Sequence, residues 1–306
     1  MTRFIACVGH ASVDHHFEVA AFPSSPTKTP ASSYRMLAGG MAANAAVAAA
    51  RLGARVRLLG RVGDDAAGEF VRSSVQHQGV DAYLDTVMNS YTSVSSVIVD
   101  AQGERQIFNH RGDALSKAHA LSIQQLEGAS AVLVDPRWGV GALAALQWAK
   151  AHDVLGVLDA DIAPQAVLQQ LVPAARWAVF SEPGLACFAP GLSQADALAA
   201  ALAAGALVAM VTLGERGVCW THGTALHSLP AYRVQAADTT GAGDVFHAAL
   251  TIALSELTSI APHSLVDETA AVRFACAAAA LKCEQRHGVL GTPNRPQVES
   301  FVLQNI

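Results

Sequence analysis

Residues 238–244 read Asp-Thr-Thr-Gly-Ala-Gly-Asp and run straight into Val245-Phe246-His247-Ala248-Ala249-Leu250. The small residues predict a tight turn at a strand end that opens a helix, with Asp244 inside its first turn. A helix start presents unpaired N–H donors and a partial positive charge, so it binds an anion, and glycines let a phosphate approach with no Cβ in the way. Asp238 and Asp244 flank two threonines and two glycines, ahead of an apolar helix suited to burial. Such an arrangement can hold a transferring phosphoryl group on backbone amides while Asp244 takes a proton from an attacking hydroxyl. The same residues would also serve as ordinary caps and first-turn acids, and the rest of the chain decides between the two.

With 306 residues, 52% of them hydrophobic, the chain has ample material for a large core in one α/β unit or two average ones. A formal net charge of -5 with interspersed signs leaves no footprint for nucleic acid or an anionic membrane. The partner expected is a small molecule. The N-terminus enters a strand pattern at Phe4-Ile5-Ala6-Cys7-Val8 without the features of a signal peptide, and the Ala-rich run from Ala270 to Leu281 is broken by Arg273 and too short to span a bilayer. Cys7, Cys187, Cys219, Cys276 and Cys283 are scattered and form no Cys-x-x-Cys pair, and the twelve histidines form no ligand motif. These features predict a reduced, cytoplasmic protein without a transition-metal site.

Strand and helix alternate along most of the chain. Apolar runs at 4–8, 56–60, 131–135, 155–159, 177–180 and 207–213 predict buried strands, and helices are expected at 42–52, 66–78, up to 151, 165–171, 242–257 and 267–283. Shorter strands are expected in 218–231. Two stretches depart from this rhythm: a strand from Ser12 followed by a loop with Pro23, Pro26 and Pro30, and a hairpin of Ser93–Val99 with Arg105–Asn109 across Asp100-Ala101-Gln102-Gly103. Segments 12–36 and 91–113 are therefore expected to form a small β lid on a single three-layer, doubly wound, mostly parallel α/β domain. Ligands of such a sheet gather outside the carboxyl ends of its strands, where Asp135, Ser181 and Gly214 fall.

Ala38-Gly39-Gly40-Met41-Ala42-Ala43-Asn44, about two hundred residues before Asp238–Asp244, completes a pair of signatures. Together they resemble the ribokinase-like (PfkB) carbohydrate kinases over essentially the whole chain. The resemblance implies ATP as phosphoryl donor, Mg2+, and transfer to a primary sugar hydroxyl. It makes Asp244 the base, the amides of Gly241, Ala242 and Gly243 the anion hole, and Asp14, Gly39, Gly40 and Asn44 the sugar contacts. It places the nucleotide against Thr212, Gly214, Gly217 and Gly288. Asp238 and Thr240 offer oxygens to a monovalent cation, K+ in some members. Ser181-Glu182-Pro183-Gly184 replaces the usual Asn-x-x-Glu, which leaves Glu182, or Asp159 and Asp161, to organise magnesium. A homodimer joined through the lid is also expected. Nucleoside kinases and a catalytically silent sugar-binding protein remain alternatives on the same fold.

Asp135-Pro136-Arg137-Trp138, Asp159/Asp161 and 181–186 are similar to the sulfofructose kinase branch. That resemblance implies a ketose acceptor, 6-deoxy-6-sulfofructose, whose sulfonate is held by Lys28, Asn109 and Arg137. An ammonium, an amide and a guanidinium suit a permanent anion with three acceptor oxygens.

Overall fold

The computed structural model describes residues 3–102, 104–114, 120–257 and 265–305. The chain starts with β1 (Phe4–Gly9), leaves it for β2 (Ser12–Glu18) and β3 (Ser33–Gly39), and returns through α1 (Met41–Arg51) to β4 (Val56–Gly63). Next come α2 (Ala66–His77), β5 (Asp81–Val87), β6 (Ser93–Val99) and β7 (Arg105–His110). The alternation resumes with β8 (Ala129–Val134), α3 (Gly139–Ala151), β9 (Leu155–Ala160), α4 (Gln165–Leu171) and β10 (Trp177–Ser181). It continues through α5 (Glu182–Phe188), α6 (Gln194–Ala204), β11 (Val208–Thr212), β12 (Val218–Thr221) and β13 (His227–Leu229), and closes with α7 (Ala242–Leu257), α8 (Leu265–Cys283) and α9 (Arg295–Gln304).

Nine strands form the large sheet in the order β13-β12-β11-β10-β9-β8-β1-β4-β5, parallel from β11 to β5 and antiparallel at β12 and β13. Both faces of the central strands are covered, so β1, β8, β9, β10 and β11 are largely apolar and alternate residues serve opposite layers. In β1, Ile5 and Cys7 join one core with Ala45 and Ala48 of α1, Ala249 of α7 and Val272 of α8. Ala6 and Val8 join the other with Ala145 of α3, Leu168 of α4, Leu185 of α5 and Leu198 of α6. The expected three-layer α/β fold is present. The chain passes from β1 to β4 on one side and later to β8 on the other, so the crevice at the carboxyl ends of β1 and β8 is a topological switch point.

Four strands form a second sheet, β3-β2-β6-β7, with β2 antiparallel to β3 and parallel to β6, and β6 antiparallel to β7. The first excursion runs on to Gly39, past the limit at 36 read from sequence, because β3 pairs with β2 along its whole length. Gly103 of the expected hairpin lies outside the described residues; Asp100 closes the described part by accepting from the amides of Gln102 and Glu104. Register aligns Asp14 with Ser95 and Ser95 with Asn109, which puts the three on one face. None of the five cysteines is in a disulfide.

Candidate active site

Two helix starts meet over the switch point. At α7, Gly241 has φ +77°, a left-handed conformation that favours glycine, and Val245 bonds back to its carbonyl. Gly243 has no such backbone demand, and a Cβ built on it would meet nothing within 4 Å. A glycine inside a helix costs about 1 kcal/mol relative to alanine, and what it leaves here is open space in front of the helix amides. Asp238 organises the approach: its carboxylate accepts from the amides of Thr240 and Gly288, each at 2.9 Å. Burial alone would raise its pKa, but these bonds and the Lys282 charge hold it at about 2.

Asp244 is only partly buried by surface area, while protein packs closely around its carboxyl. That burial, with the charge of Asp159 beside it, pushes its pKa well above the usual carboxylate range; the Asn44 amide, donating to Asp244 Oδ2 at 2.8 Å, pulls the other way. Asn44 thus links the two signatures physically, since α1 delivers the amide and α7 the carboxylate. Read from sequence as a sugar ligand, it also holds the Asp244 carboxylate.

The glycines ahead of α1 are demanded by the protein itself. A Cβ on Gly40, at φ +94°, would lie 2.6 Å from the His10 carbonyl oxygen, and one on Gly39 would lie 2.1 Å from Asp14 Oδ2. Gly40 was expected to admit the sugar to the backbone; its missing Cβ instead admits the His10–Ala11 backbone. Asp14, its pKa raised by burial and partly restored by His16, Ser95 and Ser12, faces the cleft from the small sheet. Asp14, His16, Leu37, Asn44, Thr240 and Gly288 line a crevice of about 340 Å³ between that sheet and the main body.

Acids end the central strands. Asp135, buried after β8, accepts from the amides of His10 at 2.7 Å, Ala42 at 3.0 Å and Arg137 at 2.8 Å. Burial nevertheless raises it to about 6. It therefore pins the start of α1 to the ends of β1 and β8, and Gly9 is glycine because a Cβ there would strike its carboxylate at 2.2 Å. Asp159 ends β9 with a pKa raised well above normal by burial and by Asp161 and Asp135. His247 donates through Nδ1 to the Gly243 carbonyl at 2.7 Å and sets Nε2 3.4 Å from Asp159 Oδ1. Burial lowers the His247 pKa, and its Nε2 also lies 3.4 Å from the Val179 carbonyl oxygen.

Arg137 donates to Asp161 Oδ2 at 3.4 Å, and Asp161 also accepts from Ser181 at 2.8 Å. Arg137 Nη1 is buried without a hydrogen-bond partner, as is His10 Nε2. Burial, with Arg137 and Arg111 nearby, lowers the His10 pKa to about 4. Neither His10 nor Arg111 was singled out in the sequence, since each acquires meaning only from the fold around Asp135. Of the other two residues expected beside Arg137, Asn109 donates to Ser95 at 3.0 Å. Lys28 stands on the exposed segment between β2 and β3, with no contact to the site among the described residues.

On the far side of the cleft, Thr212 ends β11 and donates to the Phe180 carbonyl at 3.3 Å. Gly214 (φ +59°) and Gly288 (φ +58°) are left-handed and open, so both could border a nucleotide. Gly217 differs: a Cβ there would sit 2.0 Å from the Leu229 carbonyl oxygen, so strand packing accounts for that glycine. Glu182 is exposed and accepts from Arg216 at 2.6 Å.

Similar proteins carry the same layout. The pattern described as pfkB family carbohydrate kinase matches residues 2–295. Ribokinase of Bacillus subtilis is 30% identical over 308 residues, 98% of this chain and 99% of its own length, and a fructokinase of Vibrio alginolyticus is 29% identical over 87% of this chain and 92% of its own. A provisionally named ribokinase from Agrobacterium tumefaciens superposes with a TM-score of 0.90 at 33% identity, over 99% of this chain and 98% of that one. Arabidopsis thaliana ribokinase complexed with ribose and ATP does so at 0.84 and 25%, over 99% of each. The chain belongs to the pfkB family of carbohydrate kinases, phosphotransferases that use an alcohol group as acceptor.

Proposed function

We propose that this kinase transfers the γ-phosphoryl group of ATP to a primary hydroxyl of a ketose-type sugar whose far end carries an anion, with 6-deoxy-6-sulfofructose as the acceptor. The observation that carries this reading is the orphaned donor Arg137 Nη1 near Asp135, with His10 Nε2 a second buried polar atom that has no hydrogen-bond partner. A buried guanidinium N–H without an acceptor is costly, and an anionic group supplies one. Asn109 and Lys28 complete the proposed pocket from the small sheet and the segment beside it. A neutral ribose or fructose would offer Arg137 Nη1 only an uncharged hydroxyl, a weaker acceptor for a guanidinium than a sulfonate oxygen.

Asp14 and Asn44 would hold the sugar hydroxyls, Asp244 would accept the proton of the attacking one, and the Gly241–Gly243 amides would carry the charge of the transferred group. Thr212, Gly214 and Gly288 would border ATP. Magnesium would arrive with it and neutralise phosphate charge. Among the described residues no three metal-binding side chains converge, which suits an ion held mainly by phosphates and water. Glu182, paired with Arg216, or Asp159 and Asp161, the latter paired with Arg137, would organise its water shell. A cytoplasmic homodimer, joined through the outer face of the small sheet acting as a lid, completes the reading.

The test is sugar-dependent ADP release over ribose, fructose, fructose phosphates, 6-deoxy-6-sulfofructose and a nucleoside. Turnover is expected to favour the sulfonate, and Arg137→Met should lower kcat/KM for it on the order of a hundredfold. Brisk turnover of neutral sugars with none of the anionic ones would defeat the proposal.

A further inference from the structure

Lys282 lies in the last turn of α8 with none of its surface exposed. An ammonium so placed must be compensated, and Asp238 supplies two of the oxygens around it. Nζ donates to the Asp238 carbonyl at 2.7 Å and lies 3.7 Å from Asp238 Oδ2. The neighbouring Cys283 carbonyl accepts from the amides of Ala237 and Asp238, so the negative end of the α8 dipole is tied to the same two residues. Asp238 in turn holds Thr240 and Gly288 by their amides. One carboxylate and one helix end therefore shape the loop before α7 and the turn at Gly288, and the Lys282 ammonium is a fixed positive charge between them.

We propose that Lys282 is a built-in monovalent cation, a positioning residue that holds the 238–243 loop and the Gly288 turn in working geometry in place of a diffusible K+. The inference rests on the kinase assignment. It replaces the K+ expected from the sequence at Asp238 and Thr240, because the ammonium already stands on the oxygens of Asp238. Ammonium and K+ are close in size and both seek oxygen, so one substitutes for the other without remodelling the loop. Lysine suits the place as a compact point charge on a flexible stem. Phosphoryl transfer by this enzyme should then be indifferent to added monovalent cation.

Lys282→Ala would open an oxygen-lined space that K+ or ammonium could enter, whereas Lys282→Met fills it without charge. Binding of a non-hydrolysable ATP analogue is measured by calorimetry in choline chloride, potassium chloride and ammonium chloride, with sugar-dependent ADP release alongside. Wild type should behave alike in all three salts. Lys282→Ala should lose about tenfold or more in choline chloride, the size of a supporting-shell deletion, and recover in potassium or ammonium chloride; Lys282→Met should lose as much and stay low in every salt. A wild type that requires K+, a Lys282→Met enzyme equal to wild type, or a folded Lys282→Ala enzyme insensitive to salt would overturn the proposal. Should Lys282→Ala fail to fold, the wild-type and Lys282→Met measurements decide it. A wild type that binds no ATP analogue at all would remove the kinase assignment and this inference with it, an outcome distinct from binding without a cation effect.

Discussion

As the proposed base, Asp244 would take a proton from a sugar hydroxyl, and most of what surrounds it opposes the charge that this would require. Burial and Asp159 raise its pKa, while the Asn44 hydrogen bond and the nearby His247 favour the charged form. A base works ionised, so the rate should rise with pH through an acid limb lying above the ordinary carboxylate value of about 4. Asn44→Leu removes a bond that stabilises the carboxylate, so that limb should move further up, read from kcat/KM against pH. A limb that moves down would show that Asn44 does not support the ionised form. Asp244→Asn should cost on the order of 10³-fold in sugar-dependent ADP release; near-normal release would remove the base assignment. Asp244 and Asn44 were legible in the sequence because each sits in a local pattern with its own physical demand, an anion-binding helix start and a lone amide among alanines. His10 and the Asp159–His247 contact were not, since strand ends and a helix meet there across more than eighty residues.

The junction between β3 and α1 separates two neighbouring glycines by what each would strike. Gly40→Ala puts a Cβ against the rigid His10 backbone at a positive φ, a strain of about 1–3 kcal/mol that should lower the melting temperature. Gly39→Ala strikes the Asp14 carboxylate first, a side-chain end that can swing aside. Its melting temperature should change little while KM for the sugar rises, because Asp14 leaves its place. Melting scans with sugar kinetics on both variants check this, and an equal loss of stability in the two would refute the distinction. The same contrast of local and distant constraint explains which elements could be read. Strands such as Ala129–Val134 are buried on both faces and announce themselves as apolar runs. β5 alternates exposed Asp81 and Tyr83 with buried Leu84 at the sheet edge and shows no such run. α9 hides behind a proline, although Asn294 and Gln297 form a capping box there.

The small sheet gives the molecule one surface that its own core does not explain. Tyr34, Met36 and Phe108 are 54%, 39% and 59% exposed. Register places them on the face opposite Asp14 and Asn109, with Phe17 and His15 packed on Tyr34. Large aromatic and Met side chains on a sheet face with open edges at β3 and β7 mark an interaction surface. A second copy of the chain is the expected occupant, because two such faces cover each other. In that case the folded state is stabilised by association and the melting temperature climbs with protein concentration. Phe108→Glu should abolish that climb and shift the mass seen by light scattering from two chains to one. The residues of the cleft stay intact in this variant, so ATP analogue binding should persist, and any loss of turnover then measures how far the partner steadies the small sheet over the sugar. A wild type that scatters as a single chain, with a melting temperature independent of concentration, would leave this face to a different partner.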